Sequence, residues 1–185
     1  MSFKNLNNEK LYINGEYIES KSNKWIEVEN PATGEIIGKV PKATANEINL
    51  ACEAAYEAFK EFSKTSLEER ISYIEKFRDW LVDHEDEIMD TILKELGVPI
   101  KISKPGQFDK QIQRIDTFID QARLIDYKIE MKGGFVRMEP IGVVASLTPW
   151  SNYNEGNPCN THGLPCSRKA SLRYTSYGVF RCQGL

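Results

Sequence analysis

From Ile141 to Leu147 the chain reads Ile-Gly-Val-Val-Ala-Ser-Leu, almost without a polar side chain, and it then runs into Thr148-Pro149-Trp150. A strand that is apolar on both faces has to be covered on both, which is the situation of a strand inside a parallel sheet. The fold class expected is therefore α/β, since parallel strands bring helical crossovers with them. In doubly wound sheets ligands sit beyond the carboxyl ends of the strands, so Leu147 and the corner after it are where a site is to be sought.

The segments upstream alternate between the two periods such a fold needs. Leu11-Tyr12-Ile13 and Glu16-Tyr17-Ile18 flank Asn14-Gly15, the dipeptide that best tolerates positive φ at both turn positions, and predict a hairpin. A second hairpin is expected from Ile26 and Val28, the turn Asn30-Pro31-Ala32-Thr33-Gly34, and the extended pattern from Ile36-Ile37 to Val40. Thr44-Ala45-Asn46-Glu47 then reads as a capping box ahead of Ile48, Ala51, Ala55, Ala58 and Phe62 at helical spacing. Ser66-Leu67-Glu68-Glu69 repeats the device before Ile71, Ile74, Phe77 and Leu81, and Ile88, Thr91, Ile92 and Glu95 continue helically until Gly97 and Pro99. A third helix is expected after Pro105, carried by Phe108, Ile112, Ile115, Ile119 and Ala122. All these stripes are read as core faces. Tyr127–Met131, Gly133-Gly134 and Phe135–Met138 predict a further hairpin of alternating polarity, the form a lone exposed ribbon takes.

Composition narrows the function classes. The 185 residues carry 24 basic and 27 acidic side chains, a formal net charge of −3, and are 41% hydrophobic, as in ordinary soluble chains. No run approaches the roughly 18–20 uncharged apolar residues of a membrane span, and Met1–Lys10 lacks the apolar core of a secretory leader, so the expectation is a cytoplasmic protein without a membrane partner. No stretch gathers the lysines and arginines that phosphate neutralisation requires, which argues against a nucleic-acid partner. The length suits one domain or a piece of something larger.

The composition also breaks after Trp150. Residues 151–185 hold four basic residues and one acid against 20 basic and 26 acidic before them, isoleucine is absent after Ile141, and Cys159, Cys166 and Cys182 crowd into this tail while Cys52 alone precedes it. Cys159, His162, Cys166 and the distant Cys182 formally supply a tetrahedral zinc set, but the last ligand is solitary, and no metal site is assigned. His84, among Asp83, Glu85, Asp86 and Glu87, is read as part of a solvated helix face; Trp25 and Trp80 are read as packing residues. The phosphate-loop, dinucleotide-fingerprint and zincin motifs are all absent.

Several of these segments, in this order, carry a resemblance. Glu29-Asn30-Pro31-Ala32-Thr33-Gly34-Glu35, the helix from Ala51 to Phe59, the helix start Glu68-Glu69-Arg70, Glu95-Leu96-Gly97-Val98-Pro99, and above all Glu139-Pro140-Ile141-Gly142-Val143-Val144 followed by Thr148-Pro149-Trp150 resemble the aldehyde dehydrogenase superfamily over about residues 10–150. The resemblance implies the amino-terminal part of a Rossmann-like NAD(P)-binding domain, incomplete here, with β-hairpins and a helical segment, in which residues 127–138 form the oligomerisation hairpin of a homo-oligomer. It also implies oxidation of an aldehyde substrate to a carboxylic acid with NAD or NADP as cofactor. In that chemistry a cysteine thiolate adds to the aldehyde, hydride passes to the nicotinamide, and a glutamate activates the water that hydrolyses the thioester. The cofactor-lining backbone carries over to Leu147, Thr148, Pro149 and Trp150.

The match then ends. Where the family reads Pro-Trp-Asn-Tyr-Pro, this chain reads Pro149-Trp150-Ser151-Asn152-Tyr153-Asn154. Asn152 is the oxyanion-donating asparagine displaced by one position, and a one-residue slip at a strand end turns a side chain to the opposite face. Beyond Tyr153 neither the cofactor segment, the glutamate nor the nucleophilic cysteine has a counterpart. A shift of reading frame accounts for this: codons able to encode Cys159 to Arg173, read one nucleotide later, can spell V-I-P-M-A-C-P-A-A-G-K-R-V-F, similar to the family's continuation. Residues 151–185 are accordingly expected to be a non-homologous, irregular tail after a 1–150 unit. Alone, the chain is expected to be inactive and prone to aggregate; the rival reading is a non-enzymatic interaction fragment or a small zinc module using the tail Cys and His.

Overall fold

The computed structural model describes residues 9–147 and the four-residue strand Cys166–Lys169. Two antiparallel hairpins open the chain. In the first, β1 (Leu11–Ile13) pairs with β2 (Glu16–Ile18) across Asn14 and Gly15, at φ 53° and 82°, the two left-handed positions that Asn-Gly was expected to fill. The register sets Tyr12 opposite Tyr17, with their rings edge to face at 5.0 Å. In the second, β3 (Trp25–Glu29) pairs with β4 (Ile36–Pro41), and Val28 and Val40 on one face are buried. Its turn is closed by Asn30: the side-chain Oδ1 accepts from the Ala32 amide at 2.9 Å, and the Asn30 carbonyl accepts from the Gly34 amide at 2.8 Å.

Helix α1 (Ala45–Phe62) starts with the capping box foreseen at Thr44 and Glu47. Helix α2 (Leu67–Asp83) is capped by Ser66, whose hydroxyl accepts from the Glu69 amide at 3.2 Å. The helical run expected from there to Gly97 is instead two helices, because His84 leaves helical geometry (φ −113°, ψ 23°) and serves as the last cap of α2 and the first of α3 (Glu85–Leu96). Gly97, at φ 66°, ends α3 in the left-handed conformation.

The last helix begins earlier than its sequence pattern indicates. Pro99 precedes a short α4 (Ile100–Ser103), a π-helical stretch follows over Lys104–Asp109, and α5 (Lys110–Leu124) continues it. Pro105 has no amide hydrogen to donate and would crowd the preceding turn of an α-helix; widening that turn removes the conflict without ending the helix.

The core lies among these helices. Ile71 and Ile74 of α2 pack with Ile115 and Ile119 of α5, and Ile88 and Ile92 of α3 pack with Phe108 of the π-helical stretch. Leu81 and the half-buried Trp80 join the second cluster, so Trp80 is the packing residue it was read to be. Arg78 of α2 bridges to Asp116 of α5 at 2.8 Å and to Asp79 at 2.7 Å, and the two carboxylates raise its already high pKa.

The apolar stripe of α1 departs from expectation. Phe62 is buried, whereas Ile48 is 40% exposed and Ala58 is open to solvent, so most of this face is not core among the described residues. After α5, β5 (Lys128–Met131) and β6 (Gly134–Arg137) form the expected hairpin, every residue of it exposed. Strand β7 covers Val144–Leu147 and pairs in parallel with β8 (Cys166–Lys169).

Candidate functional site

The strand leading to the predicted corner is shorter than its apolar run. Ile141 is 84% exposed and Gly142 sits at φ 110°, a conformation side-chain-bearing residues rarely adopt, so the chain turns there and pairing begins at Val144. Two-sided coverage also fails at this end: Val144 is half-buried and Ala145 exposed. One edge is nonetheless covered, because Val144 to Leu147 lie opposite Cys166 to Lys169.

Of the residues assigned to a site, Leu147 is the last of β7, beside Lys169, the last of β8. Both strands therefore finish at the same edge of a parallel pair, the position at which doubly wound sheets hold their ligands. The chemistry of this edge fits a dinucleotide in one respect: backbone amides and carbonyls at the carboxyl end of a parallel pair are the kind of donors and acceptors that the carried-over segment would present. Thr148, Pro149, Trp150 and Asn152 lie outside the described residues. So do Cys159, His162 and Cys182 of the formal zinc set, while Cys166 belongs to β8. Among the described residues no group of three or more His, Cys, Asp or Glu side chains could hold a metal ion, and no helix is long and apolar enough to cross a membrane.

His84 and Trp25 do not behave as read. The imidazole is half-buried at the α2–α3 joint, stacked on the Trp80 ring at 4.2 Å, with Nδ1 2.8 Å from the Trp80 carbonyl oxygen; a helix junction, not a solvated face, holds it. Trp25 is 44% exposed, and the Lys39 ammonium lies 4.5 Å from its ring, which makes it a surface cation–π pair and not a core residue.

Two contacts that local patterns do not announce tie the motif segments together. The first is Glu47, whose part goes beyond the capping box. Its Oε2 accepts from the Thr44 amide at 2.6 Å and the Thr44 hydroxyl at 2.8 Å, while Oε1 accepts from the Lys21 amide at 2.7 Å and Oε2 also from the Ser20 hydroxyl at 3.1 Å. Burial favours the neutral acid, but these donors outweigh it and hold the carboxyl below its ordinary value. The loop between the first two hairpins is thereby pinned to the start of α1.

The second joins the turn Asn30–Gly34 to the end of α3. A Cβ at Gly97 would stand 2.6 Å from Cγ of Pro31, so the prolyl ring occupies the space that only glycine leaves free. The Asn-Pro-Ala-Thr-Gly and Glu-Leu-Gly-Val-Pro segments, far apart in the chain, thus meet. Two unusual glycine and proline choices in separate turns are the signal that could have suggested this contact.

The comparisons with known proteins agree with this arrangement. The model of the aldehyde dehydrogenase family matches residues 17–154. A Staphylococcus aureus protein described as an aldehyde dehydrogenase is 39% identical over 144 residues, which cover 77% of this chain and 30% of that protein. Among solved structures, a mutant of aldehyde dehydrogenase C from Pseudomonas syringae, crystallised with NAD+ and octanal, superposes with a TM-score of 0.89 at 26% identity over 95% of this chain and 37% of its own. An aldehyde dehydrogenase from Mycobacterium tuberculosis in complex with NAD+ gives 0.87 at 26% identity over 96% and 40%. The chain thus spans less than half the length of each of these relatives, as part of a larger mixed helix-and-strand domain. With the strand-to-corner segment, the turn motif and the elements from β3 to β7 all inside the matched region, the chain belongs to the aldehyde dehydrogenase family.

Proposed function

We propose that this chain carries the amino-terminal part of an NAD(P)-dependent enzyme that oxidises an aldehyde to a carboxylic acid in the cytoplasm. The observation that carries the reading is the match over residues 17–154, which takes in Leu147 to Trp150, the segment assigned to the cofactor. Two structural relatives hold NAD+, which supports that nucleotide class. NAD(P), when bound, accepts the hydride released from the substrate adduct. The chain's own part would be to hold it: backbone groups of Leu147, the last residue of β7, and of Thr148, Pro149 and Trp150, which follow it in the chain, would line the cofactor and keep water from that side. Asn152 is the candidate oxyanion donor, and it stands one position later than the family's asparagine, a slip that at a strand end turns a side chain to the opposite face.

Neither the nucleophilic cysteine nor the water-activating glutamate has a counterpart in these 185 residues, so a polypeptide of this sequence alone is expected to be inactive. The exposed β5–β6 hairpin supports the assignment of residues 127–138 as the arm of a homo-oligomer. Residues 151–185 are proposed to be the product of a shifted frame after the 1–150 unit.

Sequencing the gene through the codons for Trp150 and beyond tests the frame. A family-like continuation ending in the cysteine and glutamate is the expected result, and an uninterrupted frame with no such continuation in either alternative would overturn it. The activity has its own test. A protein made from the corrected frame should form reduced nicotinamide, followed by its absorbance, from a panel of aldehydes, and the chain of this sequence should not. Failure of the corrected protein on every aldehyde with both NAD and NADP would count against the proposed reaction.

A further inference from the structure

We draw no further inference here: the strongest candidate, the exposed apolar face of the β5–β6 hairpin formed by Ile129, Met131, Val136 and the adjoining Met138, carries nothing beyond the subunit contact already proposed, because nothing in the structure shows what covers it.

Discussion

Replacing Glu47 by glutamine keeps its shape but removes the charge on which the Lys21 and Thr44 amides converge. Hydrogen bonds to an ionised acceptor contribute about 1.5–3 kcal/mol each, so Glu47→Gln is expected to lower stability by roughly that amount in denaturant titrations at neutral pH. The effect should depend on pH in one direction. A carboxyl whose pKa is lowered by folding stabilises fully above its ordinary value of 4.5, and that contribution is lost as pH falls through the lower folded value. The wild-type chain should therefore lose stability below about pH 5 more steeply than the variant; parallel acid limbs would show that the carboxylate is not the anchor described. Gly97→Ala tests the other tether. Left-handed backbone alone costs a side-chain-bearing residue about 1–2 kcal/mol, and overlap with Pro31 adds to it. Gly15→Ala, at φ 82° with nothing within 4 Å of the added atom, isolates the conformational part. Gly97→Ala should lower the melting temperature more than Gly15→Ala, and equal losses would deny any role to the prolyl contact.

At the scale of the elements, burial decides over surface charge. Ile115 is 1% exposed between Ile71, Ile74 and Ile119, so Ile115→Ala should cost about 2–5 kcal/mol by equilibrium unfolding. Arg123 reaches Glu68 and Glu75 only at 3.3 and 3.5 Å and in solvent, and Arg123→Ala should fall within measurement error. What could be read from sequence was what neighbours in the chain decide: the Asn14-Gly15 turn, the caps at Thr44 and Ser66, and the stop at Gly97 all stand where they were expected. The misreadings arose where a distant or subtler constraint acts. His84 breaks a run that apolar spacing alone carries through, and Pro105 is absorbed by a widened turn instead of starting a helix. A π-helical turn is equivalent to one extra residue in an α-helix, so deleting Gly106, whose Cβ position is empty space, in a Pro105→Ala background that removes the ring the wide turn accommodates, should restore α-geometry with the faces of α5 still in phase. Deleting Gln113, inside α5, should turn Ile115 and Ile119 by about 100° relative to the residues before it and unfold the α2–α5 contact. Helical circular dichroism and melting of the two deletions should differ accordingly, and equal damage would mean that the wide turn is not a spare residue.

For the whole molecule the site was legible only as a sequence of words. The apolar run ending in Pro149-Trp150 located an edge, and Leu147 does finish a parallel pair there. The start of β7 was not legible, because Gly142 at φ 110° is a backbone choice that hydrophobicity does not encode. Uncovered apolar surface on α1, at Ile141 and over β5–β6 predicts self-association of the chain expressed alone. Lysine at both Ile129 and Val136, a cross-strand pair, should shift its light-scattering profile toward smaller species, and an unchanged profile would remove the hairpin from that role. The helical core makes a different kind of statement about the molecule. Among the described residues, the side chains at most 2% exposed, Ile71, Ile74, Ile92, Ser103, Ile115 and Ala122, fall between the cap at Ser66 and the end of α5. A protease offered the native chain would therefore trim inward from both flanks and stall at this stretch, leaving one helical survivor that mass spectrometry would place within about residues 66–124.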